Sequence, residues 1–165
     1  LALNGQRSEE ESYETVVDCD IDAYIPTAYI KNEYQKLDIY KRISSIENED
    51  EYLDMQDELM DRFGDIPKPV DNLLKVAGIK ALAHLAYVTE VNINRQEIRF
   101  RMYHKARLKV EGIPALVDEY RGDFKFHMGE EPYFTYLDRR KNTSIDVMMD
   151  QAELLLKKIL ELTDK

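Results

Sequence analysis

The chain has 165 residues and a formal net charge of −10, with 44% apolar and 34% charged residues, a balance that describes a folded globular chain rather than a disordered one. That length suits one domain with a sizeable core, and no apolar run approaches the ~20 residues needed to span a bilayer. No basic-apolar signal segment opens the sequence, which starts at Leu1 rather than Met and reads as a piece of a longer, cytoplasmic protein.

Cys19 is the single cysteine and excludes an internal disulfide. Charge is unevenly spread: residues 1–66 hold 6 Lys/Arg against 18 Asp/Glu, and the remainder 17 against 15. The acidic half repels nucleic acid, and it serves either solubility or docking onto a basic protein surface.

Residues 1–13 are polar, with Gly5 and the Glu9-Glu10-Glu11 run, and read as a linker or tail. Residues 14–165 read as one domain. Thr15, Val17, Cys19 and Ile21 alternate with polar neighbours, the period of a half-buried strand, which Pro26 stops. From Tyr34 the period becomes helical, through Leu37, Tyr40, Ile43 and Ile46. A second helix follows Asn48, three residues before Glu51 in a capping-box arrangement, with Tyr52, Leu59, Met60 and Phe63 on its apolar side and Phe63 at the centre. Gly64 is placed to end it in a left-handed conformation. After the turn Asp65–Lys68, Pro69 fits the first position of a third helix, whose stripe is Val70, Leu73, Leu74, Ala77, Ala81, Leu82 and Leu85.

The second half reads as a hairpin of residues 91–103 around Arg95-Gln96, with Ile98, Phe100 and Met102 inward. A short helix on Val110, Ile113, Leu116, Val117 and Tyr120 follows, ending before Gly122. A second hairpin joins 123–128 to 133–138. The last helix is capped by Thr143 or Ser144 and lined by Ile145, Met148, Met149, Ala152, Leu155, Leu156 and Ile159. This order makes a single α+β domain.

Residues with the chemistry of catalysis are scattered. Asp18, Asp20 and Asp22 open like a calcium loop, but Ala23 and Tyr29 stand where that loop needs Gly and Glu. His84, His104 and His127 have no zinc-ligand spacing, and no phosphate-cradling glycine loop is present. Cys19 sits among carboxylates that raise its pKa. No catalytic, cofactor-binding or metal-ligating residue is assigned, and no cofactor is expected.

Two charged features remain. On the second helix Glu51, Asp54, Glu58 and Asp61 fall within an arc of about 80°, a stripe that is either a solvated face or a docking surface for Arg and Lys. Arg95, Arg99, Arg101 and Arg107, with His104, Lys105 and Lys109, form a basic strip. There Arg99, Arg101 and Tyr103 share the outer face of a strand. The strip serves either as a phosphate-tracking surface or as an intramolecular partner for carboxylates.

The segment Glu58-Leu-Met-Asp61-Arg62-Phe63-Gly64-Asp-Ile-Pro67-Lys-Pro69-Val70-Asp-Asn72-Leu-Leu74 resembles the C-terminal domain of the bacterial transcription-repair coupling factors. Ala23-Tyr-Ile-Pro26, Tyr29-Ile30, Lys36-Leu37 and Tyr40-Lys41-Arg42-Ile43 continue the match in register over about residues 20–85, and Leu1 to Gly5 resembles the tail of the preceding segment. The resemblance implies a non-catalytic regulatory domain of an ATP-driven DNA translocase in nucleotide excision repair. It would fold back on the N-terminal UvrB-like module of the same protein and mask the UvrA-binding surface until RNA polymerase is engaged. DNA would be reached through the parent motor only, and no membrane is involved. Glu51, Asp54, Glu58 and Asp61 are taken as the docking residues, with the resemblance singling out Glu58 and Asp61 of the motif; Tyr40, Arg42, Arg62, Phe63, Gly64, Pro67 and Pro69 carry the motif, most of them as structure, with Arg62 able to brace its own helix. An accessory module contacting DNA or polymerase through residues 95–109 is the alternative.

Overall fold

The computed structural model of the chain describes residues 13–163, so the expected linker lies almost wholly outside the described residues. Strand β1 (Val16–Cys19) leads into an extended segment and three helices, α1 (Glu33–Ser44), α2 (Glu49–Phe63) and α3 (Lys68–Leu85). Strands β2 (Val88–Ile93) and β3 (Glu97–Met102) form the first hairpin. A 3₁₀ turn (Val110–Gly112) runs into α4 (Ile113–Glu119), then β4 (Phe124–His127), β5 (Tyr133–Leu137) and the long α5 (Ile145–Leu162). The five strands make one sheet in the order β1-β2-β3-β5-β4. Only the β1–β2 pair is parallel. A parallel pair needs a crossover, and here the crossover is the whole α1–α3 unit. The α+β class expected from the sequence is the observed one.

The alternation in β1 holds: Thr15 is buried and Val17 and Cys19 are half-buried, while Val16 and Asp18 face solvent. Ile98, Phe100 and Met102 point inward as the period of β3 requires, joined by Val91, Phe124 and Phe134 from neighbouring strands. Helix α5 covers this face with Met148, Met149, Ala152, Leu155, Leu156 and Ile159. Its start is fixed by Ser144, whose Oγ accepts from the Val147 amide at 3.2 Å.

A second apolar cluster lies within the crossover, built on Ile25, Ile30, Ile39, Ile43, Met55, Leu59, Val70 and Leu74. Helix α3 belongs to both. Its first half sends Val70, Leu74 and Ala77 into the helical cluster, and its second half sends Ile79 and Ala83 onto the sheet. The change of neighbour rotates the buried side, so the uninterrupted stripe expected from the sequence ends at Ala77, and Leu85 is 51% exposed. Leu37, Met60 and Val110 are likewise outside the core, at 58%, 52% and 60% exposure. On α1 Ile39 takes the inward place that Leu37 was expected to hold, and on α2 Met55 takes that of Met60.

Candidate docking surface on the acidic helix

Helix α2 begins where Asn48 accepts from the Glu51 amide at 2.9 Å and the Glu51 carboxylate accepts from the Glu47 amide at 3.0 Å. The reciprocal bond therefore reaches one residue further back than the usual capping box. Glu49, Asp50 and Glu51 in the first turn also face the positive end of the helix dipole. The ridge Tyr52, Met55, Leu59 and Phe63 is held against the helical cluster. Since Met55 and Leu59 fix the orientation, Glu51, Asp54 and Asp61 must be exposed, and Glu58 is half-exposed.

Glu58 is already engaged. Arg42 of α1 grips it with both guanidinium nitrogens, Nη1 to Oε2 and Nη2 to Oε1, the latter at 2.6 Å. Arg62, one turn along α2, adds Nη1 to Oε2 at 2.8 Å. These bonds, Arg42's first and Arg62's second, hold the Glu58 carboxyl down at about 2. Arg42 is shifted upward by the same contact. The cluster carries one negative and two positive charges, so Glu58 offers a partner less negative field than the sequence implied. Glu51 is tied into the cap, while Asp54 and Asp61 have no cationic partner among the described residues. Beside the stripe, Lys41, Arg42, Ser45 and Ile46 of α1 and Glu51, Asp54 and Met55 of α2 line an open groove of about 400 Å³.

The motif that follows is built to set the angle between α2 and α3. Phe63 is half-buried rather than central. The Arg62 guanidinium lies 4.9 Å from its ring centroid, and the Tyr29 ring lies 5.8 Å away. The Tyr29 hydroxyl reaches two carbonyls, Leu59 at 3.1 Å and Gly64 at 2.9 Å. Gly64 has φ 87° and ψ −162°: φ is positive as expected, but ψ is extended rather than left-handed helical, a region essentially confined to glycine. Pro67 precedes α3 at φ −70°, ψ 157°, and Pro69 falls at the second helical position, not the first. The Pro69 carbonyl accepts from the Tyr24 amide at 3.2 Å, and the Tyr40 hydroxyl accepts from the Ile25 amide at 2.7 Å, so both pin the extended segment that leads into α1.

The basic residues of 95–109 come from different elements. Arg95 is in the β2–β3 turn and Arg107 in the loop after β3, both exposed. Arg99 and Arg101 do share the outer sheet face, but each has carboxylates nearby: Glu97 at 3.8 Å from Arg99, Glu90 at 3.9 Å and Glu131 at 4.0 Å from Arg101. Tyr103 is buried and stacks on Tyr13 at 4.7 Å, so it is not on that face. Tyr133 takes its place, 4.9 Å from the Arg99 guanidinium and stacked on His127 at 4.3 Å. Strand pairing, invisible in the local sequence, put Tyr133 there. No group of three or more His, Cys, Asp or Glu is placed to hold a metal ion among the described residues. Cys19 is pushed up to about 11, by burial first and then by Asp18, Asp20 and Asp146.

Asp138, which the sequence did not single out, is buried at the end of β5. Arg140 reaches its Oδ1 at 2.9 Å and Oδ2 at 3.2 Å, and lowers its carboxyl to about 2. It braces the turn into α5.

Residues 19–113 match the family model of the TRCF domain. The chain is 36% identical over 108 residues to a transcription-repair-coupling factor of Bacillus subtilis (strain 168), covering 66% of this chain and 9% of that protein. It is 36% identical over 115 residues to that of Staphylococcus haemolyticus (strain JCSC1435) and 38% identical over 115 residues to that of Staphylococcus aureus (strain USA300), each covering 67% of this chain and 10% of the relative. The chain thus spans about a tenth of the length of these relatives. Its fold is that of a crystal structure of the C-terminal domain of transcription-repair coupling factor, with a TM-score of 0.70 at 24% identity, covering 91% of this chain and 94% of that one. No helix among the described residues is long and apolar enough to cross a membrane. With the family model spanning more than half of its length, the chain belongs to the TRCF domain family of the transcription-repair coupling factors.

Proposed function

We propose that this chain is a non-catalytic regulatory latch within a transcription-repair coupling factor, docking through the acidic flank of α2 onto a basic surface of the UvrB-like N-terminal module of the same protein. In the docked state it masks the UvrA-binding surface, and engagement of RNA polymerase releases it. The observation that carries this reading is the flank itself: Asp54 and Asp61 are exposed and without a cationic partner among the described residues, on the helix that ends in the family-like motif. Glu58 contributes through its cluster, where a partner's Arg or Lys would compete with Arg42 and Arg62 for the carboxylate. A latch responds only through the difference in its interactions between closed and open states, and unpaired surface carboxylates gain from a cationic partner what they do not gain alone.

The structure changes which residues should be tested. Replacing Glu58 would break a cluster that joins α1 to α2, whereas Asp54→Lys with Asp61→Lys alters only the exposed charge. In the full-length protein this double variant is expected to bind UvrA more tightly in the absence of RNA polymerase, by about tenfold for each ~1.4 kcal/mol by which the closed latch is weakened. A folded double variant with unchanged UvrA binding would make the stripe a solvated face.

A further inference from the structure

Helix α2 has a second exposed flank, on the far side from the carboxylates. Leu53 and Met60, at 48% and 52% exposure, are seven residues apart and therefore share one side of the helix. Across from Leu53, α3 exposes Leu85 at 51%. Between these helices and α5 runs a groove of about 230 Å³, floored by Tyr52, Gly78, Ala81 and Leu82. Gly78 makes the floor flat: a Cβ there would meet the Tyr52 ring at 3.3 Å. Leu53 and Leu85 line this groove, and the fold of this chain leaves both uncovered.

The rim decides what would cover them. Lys75 is held by Asp71 at 3.7 Å, and Lys157 by Glu153 at 3.5 Å. Glu47 and Glu49, at the end where α2 begins, have no cationic partner among the described residues. The groove is therefore apolar along its floor and unbalanced toward negative charge at one end. Its walls are helices, whose backbone groups are bonded internally, so an extended segment would find no strand edge to pair with. An anionic lipid surface would be repelled by Glu47 and Glu49.

We propose that this groove receives an amphipathic helix from a protein partner, seating apolar side chains of successive turns between Leu53 and Leu85 and placing Lys or Arg against Glu47 and Glu49. The site is separate from the acidic flank and does not depend on it.

The test uses the 165-residue chain with isotope-labelled leucine methyl groups, titrated with a designed helical peptide of about 18 residues carrying one leucine ridge flanked by arginines. Two further peptides serve as controls: one with glutamates for the arginines, and one with the leucines dispersed around the helix. Saturable shifts confined to Leu53, Leu82 and Leu85 are expected with the first peptide. Affinity should fall at least about tenfold, ~1.4 kcal/mol, with either control, with Leu53→Asp, or with Glu47→Lys plus Glu49→Lys. Asp54→Lys with Asp61→Lys should leave binding unchanged, which separates this site from the latch. Absent shifts, equal binding of all three peptides, or loss of binding with Asp54→Lys plus Asp61→Lys would each overturn the proposal. So would concentration-dependent shifts of these methyls without peptide, which would make the occupant a second copy of the chain.

Discussion

The sheet layer and the helical crossover use their aromatic residues in opposite ways. In the sheet layer Phe100, Phe124 and Phe134 are fully buried, and Phe124 and Phe134 stack at 5.1 Å and 6°. In the crossover the innermost residues are aliphatic, and Tyr29, Tyr40, Tyr52 and Phe63 lie around the edge of the cluster. There the tyrosine hydroxyls bond to backbone: Tyr40 to the Ile25 amide, Tyr29 to the Leu59 and Gly64 carbonyls. The sheet layer thus rests on apolar area, at roughly 25 cal/mol per Å² buried. The crossover rests on a smaller apolar cluster closed by directional bonds at its perimeter, which leaves the flanks of α2 open to solvent. A scaffold and a docking unit would be expected to differ in this way.

The largest expected effect tests the scaffold. Phe100→Ala empties a fully buried site in the middle of the sheet core and should cost about 3–5 kcal/mol. Chemical denaturation followed by circular dichroism measures it. A loss below about 1 kcal/mol would mean that the sheet core is not the dominant source of stability.

In the crossover, Gly64→Ala should cost about 1–3 kcal/mol for a reason unrelated to packing. A Cβ at Gly64 meets nothing within 4 Å, so the cost is that of φ 87° alone. Gly64→Asn should be no better, because asparagine tolerates the left-handed helical region rather than ψ near −162°. If Asn restored wild-type stability, the turn would have relaxed into an ordinary left-handed cap. Phe63→Ala should be milder, about 1–2 kcal/mol, since the ring is only half-buried and a fully buried phenylalanine costs about 3–5. A loss in that upper range would give Phe63 the central place that the helical period assigned to it.

The two regions were unequally legible in the sequence, and the reasons are physical. Period and capping placed every helix and both hairpins, because Asn48, Ser144 and the alternation in β3 act within a few residues. The motif from Asp61 to Pro69 located a turn whose glycine and prolines are defined by their own backbone angles. Pairing over distance was hidden: Arg42 meets Glu58 across two helices at a sequence separation of 16, and Tyr133 reaches Arg99 through sheet order. The Arg62–Glu58 pair, one helical turn long, could be anticipated. Met60 and Leu85 were misplaced for a related reason: apolar period reports which side is apolar, and not whether this chain covers it.

The smallest expected effect isolates one lock of the crossover. Glu58 is depressed to about 2 from an ordinary value of 4.5 when folded, by Arg42 first and Arg62 second. A depressed carboxyl contributes stability that is present above its unfolded pKa and is lost as pH falls through the folded one. The relevant window is therefore from about 4.5 down to about 2. Arg42→Ala removes the bidentate partner and leaves Arg62, so the Glu58 pKa should rise toward the ordinary range while staying below it. Exposed pairs are worth about 0–1 kcal/mol, and this bidentate one belongs at the upper end. Asp138 will also destabilise the chain in acid, with its carboxyl at about 2, but it belongs to the sheet layer and titrates alike in both proteins. The difference in unfolding free energy between wild type and Arg42→Ala should accordingly be full at neutral pH, shrink below about 4.5, and vanish near 2. Urea unfolding across that range, with carboxyl titration followed by NMR, reads both quantities. A difference independent of pH would show that Arg42 acts through the packing of its side-chain stem, and that the bond to Glu58 does not join α1 to α2.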